Sequence, residues 1–284
     1  AGAKRMVEEG VLDLEPRAER AYGLHVWPTL PSGTVASRPG PLLAACERFE
    51  IVVGGKGGHA AMPHLTKDPI VAASAAVMNL QTLVSRGLSP LESGVVSITK
   101  VNAGDAFNVI PHSARVLGTV RALSEEGLIK LRDGVKRMVE QTAEMHGCNA
   151  TIRYSPDHYP PTVNDPDLYP FAAEVAAPVS IEGVVRDIEP TMGAEDFSFF
   201  AKAVPSAFFL LGQGDGGRDG GPPRTDYGLH HPKFALDEGV LTRGIELHAN
   251  LALRSLKRLA AEEGMASNAD SGREVGEVGS TASL

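Results

Sequence analysis

Cysteine is almost absent from this chain: Cys46 and Cys148 are the only two among 284 residues, and no CxxC spacing joins them. A disulfide framework and a thiolate zinc site are therefore both excluded, since each needs paired or clustered sulfurs. Long apolar runs are missing too. The longest, near residues 69–80, is too short to cross a bilayer and carries amphipathic helical spacing, so no membrane partner is expected. There is no surplus of basic residues: 27 Lys and Arg against 35 Asp and Glu leave a formal charge of -8. A nucleic-acid surface needs clustered cations to displace phosphate counterions, so no nucleic-acid partner is expected either. No signal peptide, internal repeat or C-terminal address stands out, and the compartment stays open. The chain has no initiating Met and opens at Ala1 inside a helical pattern over 2–9, as expected of a fragment or processed product.

What is present reads as an ordinary globular protein, 43% hydrophobic and 22% charged, long enough for a sizeable core. RAYGLHVW (20–27) is a short buried strand stopped by the Pro28–Pro31 turn. From Glu47 to Asp157 the pattern becomes strand (FEIVVGG), helix (DPIVAASAAVMNLQTLVSR), two strands (GVVSITKVNAG, SARVLGTVRAL), helix (124–147) and strand (CNATIRYS). The order β-α-β-β-α-β is that of a ferredoxin-like unit. Ser124 is placed to cap the second helix and Gly147 to end it. Further helices are expected near 167–176, from the Gly193–Asp196 corner and over 237–262, with an apolar strand at 206–212. The expected fold class is therefore α/β: one domain from residues 1–46 and 158–262, interrupted by an inserted α+β domain over 47–157. A Gly-, Ser- and Glu-rich tail over 263–284 is expected to be disordered.

Several polar residues could carry chemistry, and each also has a bland explanation. His25 ends a strand, where α/β enzymes place ligands; it could equally be a hydrogen-bonded core histidine. His230 and His231 lie between a glycine-rich loop and a helix, as metal ligands or as solvated loop residues. His59 closes the glycine-rich GGKGGH loop, which fits no nucleotide-binding spacing; it either faces a cleft or packs its loop. Asn108 can donate to an oxyanion and Arg121 can hold a carboxylate, or they are a turn Asn and a solvated strand Arg. Glu195 and Asp196 stand where acidic residues complement a helix dipole.

Taken jointly, YGLHVWP, SRPGPLLA, GKGGHAAMPHLTKDPI, LQTLVSR, AFNVIPHSA, GTVRAL, MGAEDFSFF and LHHPKF resemble the successive motifs of the zinc-peptidase-like amidohydrolases. Their branch includes hippurate hydrolases, N-acyl-amino acid amidohydrolases and indole-acetyl-amino acid hydrolases. The resemblance covers about residues 1–260 in order. It implies a zinc-peptidase-like catalytic domain, here incomplete, with an inserted lid or dimerisation domain. It implies two divalent metal ions (Zn, Mn or Co), with His25 and His230 as ligands and His231 at a variable position. By the same resemblance, His59 and Asn108 stabilise the oxyanion, His59 reaching a neighbouring subunit's site in a homodimer formed through the lid. Arg121 binds the substrate carboxylate, and Glu195 belongs to an acidic corner lining the cleft.

The family's Cys-Gly-His-Asp segment and Glu-Glu pair have no counterpart here, and AGAKRMVEEG is similar to the family's segment immediately C-terminal to that pair. With them would be missing the general base and two or three metal ligands, leaving fewer than the three protein ligands of a usual catalytic zinc site. The resemblance thus implies hydrolysis of the amide bond of N-acyl amino acids, possibly auxin conjugates, by the full-length protein. The other readings are a non-catalytic dimerising or ligand-binding fragment, and a related dipeptidase or deacetylase.

Overall fold

The computed structural model describes residues 2–214, 225 and 227–274, with side chains to residue 262. The first half of the chain forms α1 (Gly2–Glu8), β1 (Ala21–Trp27), β2 (Val35–Ser37), β3 (Gly40–Leu43), β4 (Ala45–Gly54), β5 (Gly58–His59), α2 (Pro69–Ser85), β6 (Gly94–Ala103), β7 (Val109–Ile110) and β8 (Ser113–Ala122). Then come α3 (Glu125–Met145), β9 (Asn149–Tyr154), β10 (Thr162–Asn164), α4 (Tyr169–Ala176), β11 (Arg186–Asp187), α5 (Ser198–Ala203), β12 (Ser206–Gly212) and α6 (Leu241–Glu274). The fold is mixed α/β, in two compact units.

The first unit holds Ala1–Glu19, Arg38–Asp165 and Glu189–Ser206. Its main sheet has the order β6-β8-β4-β9. β4 and β8 pair antiparallel along their whole length, from Ala45 opposite Ala122 to Gly54 opposite Ser113. Alternate residues of β4 point inward, so Phe49, Ile51 and Val53 meet Ala72, Ala76, Leu80, Leu131, Val135 and Val139 of α2 and α3 in one core. The other face is polar and carries the Arg115–Glu50 ion pair. Both helices start on side-chain caps. Asp68 accepts from the backbone N of Ile70 (2.8 Å) with Pro69 in the first turn, and Ser124 accepts from Gly127 N (3.0 Å) with Glu125 and Glu126 behind it. Gly147 takes φ 66° just past α3, and its N–H and that of Cys148 return to the carbonyls of Glu144 and Ala143.

Residues 38–46, 158–165 and 189–206 belong to the same unit, where β3 pairs with β10 and Ala44 N is shared between the carbonyls of Thr191 (3.2 Å) and Gly193 (2.8 Å).

The second unit holds Arg20–Ser37, Pro166–Ile188 and the chain from Ala207 on. Its sheet runs β1-β12-β2-β11, with β12 antiparallel and β11 parallel to β2. All seven residues of β12 are buried. Phe209 and Leu211 pack with Val35, Val175, Val179, Leu247 and Leu251, bringing α4 and α6 onto the sheet. α6 runs from Leu241 to Glu274, and no proline interrupts it. Residues 275–284, and most of the expected glycine-rich loop, lie outside the described residues.

Candidate functional site

In the first unit, four glycines of GGKGGH leave β4 and carry the chain into a two-stranded ribbon. There β5 pairs antiparallel with β7, His59 opposite Val109 and Gly58 opposite Ile110. Ala60 N donates to the Asn108 carbonyl at 3.0 Å, so His59 and Asn108 come together on one short ribbon. Gly57 has to be a glycine here, because a Cβ would meet the Ile110 carbonyl oxygen at 2.6 Å. His59 Nδ1 accepts from Ala61 N (3.1 Å), which fixes the ring and leaves Nε2 outward; both His59 and Asn108 are exposed.

Arg121 lies at the other end of β8. Its Nη1 donates to the Met192 carbonyl (2.6 Å), tying it to the corner that carries Glu195, and a guanidinium keeps four further N–H donors for a ligand. At that corner Glu195 Oε1 accepts from Asp196 N (3.0 Å), while Asp196 Oδ2 accepts from Ala3 N (3.0 Å). Cys46 stands opposite Arg121 in register. Burial pushes its thiol up, against the pull of the Arg121 charge, which makes it an inert core sulfur. The candidates of this unit therefore fall into two groups, His59 with Asn108 and Arg121 with Glu195. The ribbon joins β8 at its Ser113 end, and at about 3.3 Å per residue the strand runs on the order of 25 Å from there to Arg121.

The second unit carries both candidate metal ligands. On β1, His25 Nδ1 lies 2.7 Å from the Val26 carbonyl, so the tautomer that hydrogen-bonds it carries the proton on Nδ1 and presents the Nε2 lone pair. His230 is exposed and takes φ 65°, the one non-glycine in the left-handed region among the described residues. His231 is engaged differently: its ring stacks on Tyr227 (4.5 Å between centroids, 8° between planes) and its Nδ1 accepts from Lys233 N at 3.0 Å. Two imidazoles suit a borderline divalent cation, but they are only part of a ligand set. Among the described residues, no three His, Cys, Asp or Glu converge as a metal site would require.

One residue that the motifs do not flag organises this region. Gln213, fully buried, follows β12. Its Nε2 donates to the carbonyls of Thr225 (3.3 Å) and Ala235 (3.1 Å), on either side of LHHPKF, and its Oε1 accepts from Asp237 N (3.3 Å). The signal available for it is a lone amide at the end of the apolar run SAFFLLG.

Residues 1–254 match the model of Peptidase family M20/M25/M40. IAA-amino acid hydrolase ILR1-like 2 of Arabidopsis thaliana is 42% identical over 266 residues, covering 92% of this chain and 58% of that protein. N-acetylcysteine deacetylase of Bacillus subtilis is 37% identical over 259 residues, covering 91% of this chain and 64% of that protein. Among solved structures, the Bacillus subtilis YXEP protein, described as a dinuclear metal binding peptidase, superposes with a TM-score of 0.69 at 33% identity. That match covers 90% of this chain and 61% of that one. The chain thus spans less than two thirds of the length of the curated relatives named here. On the extent of these matches, it belongs to peptidase family M20/M25/M40, among relatives that are amidohydrolases.

Proposed function

We propose that the complete protein hydrolyses the amide bond of N-acyl amino acids, as a homodimer that uses two divalent metal ions. The observation that carries this reading is the ribbon of β5 and β7, which presents His59 and Asn108 side by side on a glycine-rich support. Such a pair can stabilise an oxyanion: the outward His59 Nε2–H and the Asn108 side-chain amide are donors that can meet the developing charge. Arg121, braced by the Met192 carbonyl, would take the amino acid's carboxylate with its remaining N–H groups. Glu195 would line the pocket beside it.

His25 and His230 would hold part of the metal site, which supplies Lewis acidity and acidifies a bound water. His25 fits that role through its fixed tautomer, and His230 through the strained backbone often found at functional sites.

The distance between the two groups supports the dimer. In an N-acyl amino acid the scissile carbonyl lies a few bonds from the carboxylate, so groups at opposite ends of a strand that runs on the order of 25 Å are poorly placed to serve one substrate molecule. A second copy, lending its ribbon to the first copy's Arg121, removes the conflict. The β-α-β-β-α-β unit around β4, β6, β8 and β9 would then be a ferredoxin-like lid that carries the exchange, inserted into a zinc-peptidase-like catalytic domain.

The relatives' names favour a small acyl-amino acid substrate over a nucleic acid or a membrane. Kinetics on an N-acyl amino acid and on its carboxamide test the reading. Arg121→Ala should raise KM for the acid by tenfold or more, at about 1.4 kcal/mol per factor of ten, and leave the carboxamide little changed. Equal loss on both, or faster turnover of plain dipeptides than of acyl amino acids, argues against it.

A further inference from the structure

We infer that Gln213 is a positioning residue, the clasp that sets the His230 loop against the strand bearing His25. This rests on the proposed metal role of those two histidines. The side chain is wholly buried, and its amide is close to saturated: both N–H groups donate and the oxygen accepts. Its three partners are main-chain atoms of Thr225, Ala235 and Asp237, so the arc from 225 to 235 is closed at both ends on a single amide. His230 sits inside that arc. The Gln213 backbone N donates in turn to the Trp27 carbonyl at 3.2 Å, two residues past His25, and Gly214 N donates to the Leu30 carbonyl at 2.8 Å. One residue therefore fastens both segments that carry a candidate ligand.

The conformation of His230 fits such a clasp. A non-glycine residue stays at φ 65° only where the surrounding structure over-determines it. Among the described residues, Tyr227 and the Lys233 N–H engage His231 rather than His230. The closure of the arc supplies that constraint to His230. A residue with a merely space-filling role would need no amide here; a methionine would occupy a similar volume but leave the Thr225 and Ala235 carbonyls and the Asp237 N–H without this partner.

The test is zinc affinity of the complete protein, measured by competition with a chromogenic chelator and needing no turnover. Gln213→Met removes all three polar contacts while keeping the volume. It is expected to weaken zinc binding by about ten- to a hundredfold, the usual effect of losing an outer-shell partner. On a His230→Ala background the same substitution should change affinity less than about threefold, because the ligand it positions is gone. If Gln213→Met does not fold, Gln213→Glu keeps the acceptor for Asp237 N, loses at least one of the two donations, and should weaken binding in the same direction. Unchanged zinc affinity, or an equal fall with and without His230, overturns the inference. If His230→Ala itself leaves zinc binding intact, the metal reading fails as well; if only the Gln213 substitutions do, the clasp alone is wrong.

Discussion

Gly118 lies directly opposite Phe49 across β8 and β4, and the aromatic ring occupies the space a side chain at 118 would need. A Cβ there would meet Phe49 Cζ at 2.5 Å and would also crowd the Ser97 carbonyl oxygen. Phe49 is buried in the core under α2 and α3, so it has little room to withdraw. Gly118→Ala should therefore destabilise the protein by about 1–3 kcal/mol, the range for overpacked cores, read as a lower urea midpoint at unchanged slope. A neutral substitution would show that the sheet can shift.

The two adjacent histidines should separate cleanly. His230→Ala is expected to lower the metal content of the complete protein, whereas His231→Ala should leave it near wild type, since His231 is committed to Tyr227 and the Lys233 N–H. Metal analysis of both variants after dialysis decides it. Equal losses would mean that the two share the role.

Glu47 gives a pH dependence that is independent of catalysis. Its side chain is almost completely buried, and burial raises its pKa above the usual carboxylate range, against the pull of Arg132 (3.7 Å away) and His158. The folded state therefore keeps this proton at pH values where the unfolded chain has lost it. Stability from this group is present at low pH and is lost as pH rises through that window. Glu47→Gln should remove the loss. Compared with wild type, the variant should gain in relative urea stability as pH rises from the ordinary carboxylate range, about pH 4. A variant that loses ground over that rise would mean that the Arg132 ion pair outweighs burial.

Much of this was legible in the sequence, and the parts that were not have physical reasons. α3 and the ten-residue strands β4, β6 and β8 carry periods long enough to read, and the Ser124 cap and Gly147 stop come from side-chain chemistry. β2, β3 and β10 do not, because three or four residues among prolines and glycines show no alternation. For the same reason Val35–Ser37, a wholly buried strand, leaves no trace in the sequence pattern. The polar candidates were readable one by one. Their grouping was not, since it depends on the register of β8 and on the β5–β7 pairing. Gln213 left almost no trace, because all its side-chain partners are backbone atoms set by tertiary structure.

The separation of His59 from Arg121 supports a site shared between two copies, and subunit mixing of the complete protein tests this most directly. Assayed on an N-acyl amino acid well below KM, His59→Ala should lose about 10²–10³ through kcat as an oxyanion donor is removed, and Arg121→Ala should lose tenfold or more through KM. Mixed dimers of the two would hold one site with both residues intact, so equal mixing should restore about a quarter of wild-type activity if subunits combine at random. Mixed dimers that form and remain as inactive as the parents would contradict the account.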